Sequence, residues 1–405
     1  MALRPDDPAR LAEMVAGALA DGTPLELVGG GSKRGLGRPV QAAATLDLTG
    51  LAGIQLYEPA ELVMAAGAGT PLATIEAELA AQGQMLAFEP PDYGPIYGGP
   101  AGAQTIGGVL ATNLAGPRRI KAGAARDHFL GAGAVSGRGE PFKAGGRVVK
   151  NVTGYDLCKL LAGSHGTLAV LHSVTFKVLP APEKARTVLV FGLDPAAAAA
   201  AMAAALGSPH EVASAAHLPA AVAARSAVDF VRDAGASVTA IRVEGPGPSV
   251  AVRCAALRDL LGARGPVEEL HSSRSARLWA EIRDVAALLP DIDAALWRLS
   301  VAPTDGPAVA AAIGRALPAE TFFDWAGGLV WIAVPAAGDA GQAAVRAAVV
   351  ASGGHATLVR APEAVRAVVP PFHPQAAAVA AIAERVKGTF DPRRILNPGR
   401  MTPDL

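Results

Sequence analysis

Four times after residue 183 this chain of 405 residues repeats one order: an apolar run of strand length, a break made of Pro, Gly or Asp, and an Ala-rich stretch of helix length. The runs are Val188 to Leu193, Val238 to Val243, Ala295 to Val301 and Leu329 to Val334. The stretches after them open at Asp194-Pro195, Pro248-Ser249, Asp305-Gly306-Pro307 and Gly338-Asp339. An apolar strand must bury at least one face, and a helix placed directly after it supplies the cover, so this order predicts an antiparallel sheet with helices on one face. The intervals are too irregular for a solenoid. Pro180-Ala181-Pro182 stops the strand read over Val170 to Leu179 and marks a boundary. The reading is an α+β protein with a first domain over residues 1–182, a second over 183–385 and a C-terminal tail over 386–405.

The first domain mixes short strands and helices. Asp7 followed by Pro8, with Leu11, Met14, Val15 and Leu19 on one face, predicts a capped amphipathic helix. Pro24 to Val28 is a strand-like run that ends abruptly in Gly29-Gly30-Gly31-Ser32-Lys33-Arg34-Gly35. Short β-type pieces at Thr45 to Leu48, Ile54 to Glu58 and Leu62 to Ala66 precede a helix that starts after Gly69-Thr70-Pro71 and carries Leu72, Ile75 and Leu79. Phe129 to Val135 and Pro141 to Lys143 flank the turn Ser136-Gly137-Arg138-Gly139-Glu140 and read as a hairpin. That placement discounts Gly131-Ala132-Gly133 as a dinucleotide fingerprint, because no helix follows it.

Three segments rich in Gly and small residues are the candidates for chemistry. Consecutive glycines after a strand, Gly29 to Gly31, let the backbone turn its N–H groups inward as an anion nest, with Lys33 and Arg34 adding charge; a plain surface turn has the same composition. With Arg34 where a third fingerprint Gly would stand, the loop is neither a Walker nor a Rossmann loop. Thr105 to Gly116 is small and apolar, with Thr105, Thr112 and Asn113 as its polar side chains, which suits either a large flat ligand or a helix pressed on a sheet. The third runs from Lys150-Asn151-Val152-Thr153-Gly154-Tyr155-Asp156-Leu157 to Gly163-Ser164-His165-Gly166-Thr167-Leu168-Ala169-Val170.

Taken together these segments resemble the FAD-binding domain of the vanillyl-alcohol-oxidase, or PCMH, type. The tail Phe390-Asp391-Pro392 to Leu396-Asn397-Pro398-Gly399-Arg400 is similar to the end of FAD-linked oxidases. Within that family the chain most resembles the FAD-binding subunits of bacterial glycolate oxidases, through Ala115 to Arg119, Arg126 to Gly131, Gly145 to Asp156 and Gly354 to Leu358. The resemblance implies a PCMH-type domain of two α+β subdomains, an α/β-sandwich, ferredoxin-like cap, and a tail that returns to the FAD domain. It implies that Gly29, Gly30, Gly31, Ser32 and Lys33 hold the pyrophosphate, and that Pro100, Thr105, Gly107, Gly108, Thr112, Asn113 and Gly116 line the ribityl chain and flavin ring. Gly166, Thr167, Leu168 and Val170 would meet the cofactor again through backbone groups. Covalent members carry a His near the first loop; Ser32 stands there instead, so the expected FAD is non-covalent, and Cys158 is read as an inert buried thiol.

The family's catalytic members share an H-x-H pair and an acidic-Asn-His motif in the cap. Here His210, His217, His271, His355 and His373 are scattered, so no catalytic residue and no metal ligand is assigned. His128, His165, Lys150 and Tyr155 lie near the flavin segments, each with a structural alternative. The favoured expectation is an FAD subunit that supports glycolate oxidation beside a homologous catalytic FAD subunit and an iron–sulfur subunit. The alternative is a free-standing dehydrogenase of a small 2-hydroxy acid such as D-lactate.

Composition narrows the remaining classes. Lys+Arg 36 against Asp+Glu 36 leaves no net charge to hold nucleic acid. Two cysteines, Cys158 and Cys254, cannot ligate a zinc ion or an iron–sulfur cluster alone. Residues 1–20 carry Asp6, Asp7 and Glu13 and do not read as a secretory leader, and the longest apolar run, Ala196 to Leu206, falls well short of a bilayer. The expected location is cytoplasmic, peripheral to the inner membrane only through partners.

Overall fold

Asp7 ends an extended segment with its carboxylate accepting from the N–H groups of Ala9 and Arg10, Pro8 occupies the first helical position, and Gly22 closes the helix in the left-handed conformation. The helix Pro8–Asp21 that results buries Leu11, Val15 and Ala18, one stripe of its surface, as the sequence spacing predicts. The computed structural model describes residues 2–148 and 154–403, with the side chain of Ala2 left out. The described chain separates into two compact units, one formed by residues 1–115, 123–181 and 370–405, the other by 116–122 and 182–369.

The first unit holds two main sheets. Ala2–Leu3, Ala44–Asp47 and Leu25–Val28 pair in parallel in that order. Ile54–Glu58, Val63–Gly67, Ala169–Lys177, Phe129–Ser136 and Pro141–Gly145 form an antiparallel sheet of five, in which Phe129–Ser136 and Pro141–Gly145 are the hairpin read from sequence. The parallel sheet packs through Leu25 and Leu46 on Leu11 and Val15 of the first helix, with Val135 and Val170 from the second sheet and Ile395 and Leu396 from the tail. The tail extends the parallel arrangement, because Leu25 bridges Leu396 in parallel and donates its N–H to the Ile395 carbonyl at 2.7 Å.

The second unit is one antiparallel sheet of eight strands, ordered Val267–His271, Lys184–Phe191, Val238–Gly245, Val212–Leu218, Glu320–Asp324, Leu329–Val334, Ala295–Ser300 and His355–Arg360. Numbered within each half, the strands run 4-1-3-2 and then 2-3-1-4, so the unit is two ferredoxin-like β-α-β-β-α-β motifs joined through their second strands. Each half has its own core: Met202, Cys254 and Leu257 against Val188 and Ile241 in the first, Ile313, Val345 and Val349 against Trp297 and Ile332 in the second. The four strand-then-helix repeats of the sequence are the first and third strands of each half. The second and fourth strands, among them Val212–Leu218 and Val267–His271, follow helices, and their mixed composition gave no signal.

Two boundaries differ from the reading. Helix Ala377–Phe390, which the expected boundary at residue 385 divides, lies whole in the first unit, where its Lys387 donates to the Thr167 and Leu396 carbonyls. Residues 116–122 belong to the second unit: Trp325 Nε1 donates to the Gly116 carbonyl at 3.0 Å and Arg118 pairs with Glu244 at 2.8 Å.

Candidate functional site

Strand Leu25–Val28 runs straight into the glycine loop, and the loop faces a cavity that opens to solvent within the first unit. Its walls are residues 27–34, helix Ile106–Thr112, the His165-Gly166 turn, strand Ala169–Lys177, and Asn397 and Arg400 of the tail. Thr105 caps the helix, its hydroxyl accepting from Gly108 N–H, and Asn113 ends it in the left-handed conformation.

The glycines divide by what they touch. A Cβ on Gly30 would lie 1.6 Å from the Ala103 carbonyl oxygen, and one on Gly29 2.5 Å from Thr105 Oγ1, so the loop is pressed against residues 103–105. Gly107 is equally constrained, with the Ala68 carbonyl at 2.7 Å. Gly108 is not: its nearest neighbours would be Thr105 Oγ1 at 3.4 Å and Lys33 Nζ at 3.9 Å, so its bare Cα keeps the cavity open.

None of the five consecutive backbone N–H groups from Gly29 to Lys33 donates to another described residue. Consecutive backbone N–H groups with no protein partner, facing one cavity, make a nest for an anion. Lys33 Nζ reaches the neutral oxygens Ser32 Oγ and Gln104 Oε1 at 3.2 and 3.3 Å. Burial lowers its ammonium to about 8, against the opposing pull of Asp92. Asp92 in turn accepts from Gly94 and Gly102 N–H. His165, in the left-handed conformation beside Arg400, is pushed down to about 4 by burial and then by that cation, so its ring is neutral at physiological pH.

Ten of the residues expected from sequence line this cavity: Gly29, Gly30, Gly31, Ser32, Lys33, Thr105, Gly107, Gly108, Thr112 and Gly166. Six do not. Pro100 is exposed to solvent. Asn113 accepts from Arg126 N–H, and Gly116 offers its carbonyl to Trp325 in the second unit. Thr167 donates to the Ser164 carbonyl and Leu168 is buried. Val170 points into the helix core because side chains alternate along a strand, and its neighbours Ala169 and Leu171 take the cavity face instead. Tyr155 is 93% exposed, and Lys150, Asn151, Val152 and Thr153 lie outside the described residues. Sequence reasoning missed Ala111 and Leu171, which helix and strand periodicity could have supplied; Asn397 and Arg400 lie in the tail that the resemblance returns to this domain, but were not named among its lining residues.

A family described as an FAD binding domain matches residues 1–145. The glycolate oxidase subunit GlcE of Escherichia coli (strain K12) is 36% identical over 396 residues, which cover 98% of this chain and 97% of that protein. The chain belongs to this family of FAD-linked glycolate oxidase subunits. The glycolate oxidase subunit GlcD of Bacillus subtilis (strain 168) is 37% identical over 102 residues, 25% of this chain and 21% of that one. Among solved structures p-cresol methylhydroxylase superposes with a TM-score of 0.71 at 14% identity, covering 100% of this chain and 88% of its own, which establishes a shared fold.

FAD is the cofactor of this family, and the cavity fits it. The free amides of residues 29–33 and the Lys33 ammonium suit a pyrophosphate, while Gly108, Ala111 and Thr112 offer a flat, small-residue wall for a ring. Among the described residues no group of three or more His, Cys, Asp or Glu could hold a metal ion, and no helix is long and apolar enough to cross a membrane.

Proposed function

We propose that the chain is the FAD-binding subunit of a glycolate oxidase (glycolate dehydrogenase) complex, supporting oxidation of glycolate to glyoxylate while electrons pass to an iron–sulfur partner. The observation that carries the reading is the end-to-end match to a protein named as a glycolate oxidase subunit. FAD, when bound, supplies the two-electron chemistry. The chain's own residues do the rest: the amides of Gly29 to Lys33 hold the pyrophosphate, Lys33 neutralises it, and helix Ile106–Thr112 orients the ring system. The FAD is held without a covalent bond, since Ser32 stands in the loop, Cys158 is buried against the Ala144 carbonyl, and His165 tilts its ring against Phe372 at 4.8 Å.

Oxidation of a 2-hydroxy acid requires a base at the hydroxyl and a cation for the carboxylate. Neither a clustered metal site nor a His pair supplies the base among the described residues, which favours chemistry in a homologous partner. An anaerobic visible spectrum of the purified chain, recorded before and after glycolate, tests this. A flavin band that persists with glycolate and bleaches once partner subunits are added supports the reading. Rapid bleaching of the chain alone overturns it in favour of a free-standing dehydrogenase.

A further inference from the structure

The tail that closes the cavity does more than pack. Arg400 Nη1 donates to the Arg34 carbonyl at 2.8 Å and the Leu36 carbonyl at 3.1 Å, the two acceptors at the exit of the glycine loop. Its own carbonyl accepts from Arg38 N–H at 2.9 Å, and a Cβ on Gly37 would stand 2.7 Å from that oxygen, so side chain and backbone of one residue grip the loop from both sides. At the entrance, Asn397 repeats the device: Oδ1 accepts from Leu27 N–H at 2.9 Å and Nδ2 donates to the His165 carbonyl at 2.8 Å. The five free amides lie between these two grips.

Charge follows the same logic. Lys33, Arg34 and Arg400 face Glu26 and Asp92, and the single Glu26 carboxylate is shared between the Arg34 fork and Arg400 Nη2 at 3.5 Å. One surplus positive charge therefore stands beside the nest and favours an anionic pyrophosphate there.

We propose that Arg400 is a positioning residue for FAD: by tying the Arg34 and Leu36 carbonyls to the tail it holds the amides of Gly29 to Lys33 toward the pyrophosphate. The inference rests on FAD binding by this chain and adds a residue from the opposite end of the sequence to the site. It makes cofactor retention depend on the docked tail, because Arg400 ties the exit of the loop to it.

The test is FAD titration of the apoprotein of the full chain, followed by flavin fluorescence, together with the melting temperature of the empty protein. Arg400→Met is expected to raise the FAD Kd by about tenfold or more, the loss of a charge-assisted pair of hydrogen bonds, together with a modest fall in the melting temperature of the empty protein as the Arg34 and Leu36 carbonyls lose their donor. Arg400→Lys keeps the charge without the two-carbonyl fork, and is expected to weaken binding by an intermediate factor; it carries the test if the Met variant does not fold. A Kd within twofold of the parent in the folded variants overturns the proposal, and a lowered melting temperature with unchanged affinity identifies a purely structural arginine. A parent chain that binds no FAD overturns the cofactor assignment itself, and this inference with it.

Discussion

Gly30 and Gly108 carry the same sequence signal and different physical duties. Because a Cβ on Gly30 meets a backbone oxygen at 1.6 Å, Gly30→Leu is expected to unseat the loop itself. Gly108 lies in the helix with open space before it, so Gly108→Leu is expected to keep the fold and occupy the cavity. The equivalent overpacking cost of about 1–3 kcal/mol corresponds to roughly tenfold or weaker FAD binding, read as flavin absorbance per chain after gel filtration. Lys33 makes binding depend on pH. Burial lowers its ammonium to about 8, below its usual 10.5, and a bound pyrophosphate favours the charged form. Binding therefore takes up a proton above that pH, and FAD affinity is expected to fall by up to about tenfold per unit as pH rises past 8. Titrations at pH 7 and 9 check this, and Lys33→Gln is expected to flatten the profile.

Among the elements, the tail is the one whose composition stands out and whose purpose local patterns do not reveal. Lys387 and Asp391 form a buried pair at 2.7 Å, the ammonium also donating to the Thr167 and Leu396 carbonyls and the carboxylate accepting from the Ile395 and Leu396 N–H groups. Every donor of this knot is satisfied, and it docks helix Ala377–Phe390 onto the turn beside Gly166. Asp391→Asn leaves a buried ammonium without its countercharge, and about 3–5 kcal/mol of stability is expected to be lost, measured by urea denaturation at pH 7. Elements with local causes were legible: Asp7 and Pro8 announce their helix, and Gly137 and Gly139 sit at the expected hairpin turn. The face of a strand was harder: Val170 turns its side chain into the core while Ala169 and Leu171 take the cavity side, an alternation that the expected backbone contact at Val170 did not address.

For the whole molecule, the doubled ferredoxin-like unit carries its own pH signature. His217 is buried in the sheet, Nδ1 meets Thr239 Oγ1 at 2.9 Å, and Nε2 has no partner among the described residues. Burial pushes this imidazole down to about 4 from its usual 6.5, against the pull of Asp194. Between those values the unfolded chain binds more protons than the folded one. The stability associated with neutral His217 is thus complete above pH 6.5 and lost as pH falls toward 4. Unfolding midpoints across that window are expected to fall more steeply for the parent than for His217→Leu.

The amino-acid sequence by itself determined what depends on neighbours a few residues apart: the capped first helix, the strand that ends in glycines, the hairpin at 129–145 and the alternation of strand and helix after residue 183. Hydrophobic period and backbone freedom act locally, so they can be read locally. Only the tertiary structure decided which glycines face a cavity, which face of Ala169–Lys177 lines it, and that Asn397 and Arg400 join a loop more than 360 residues away. Those outcomes depend on chain segments brought together by packing two sheets and a tail around one core, and a contact between distant segments leaves no trace in the spacing of either.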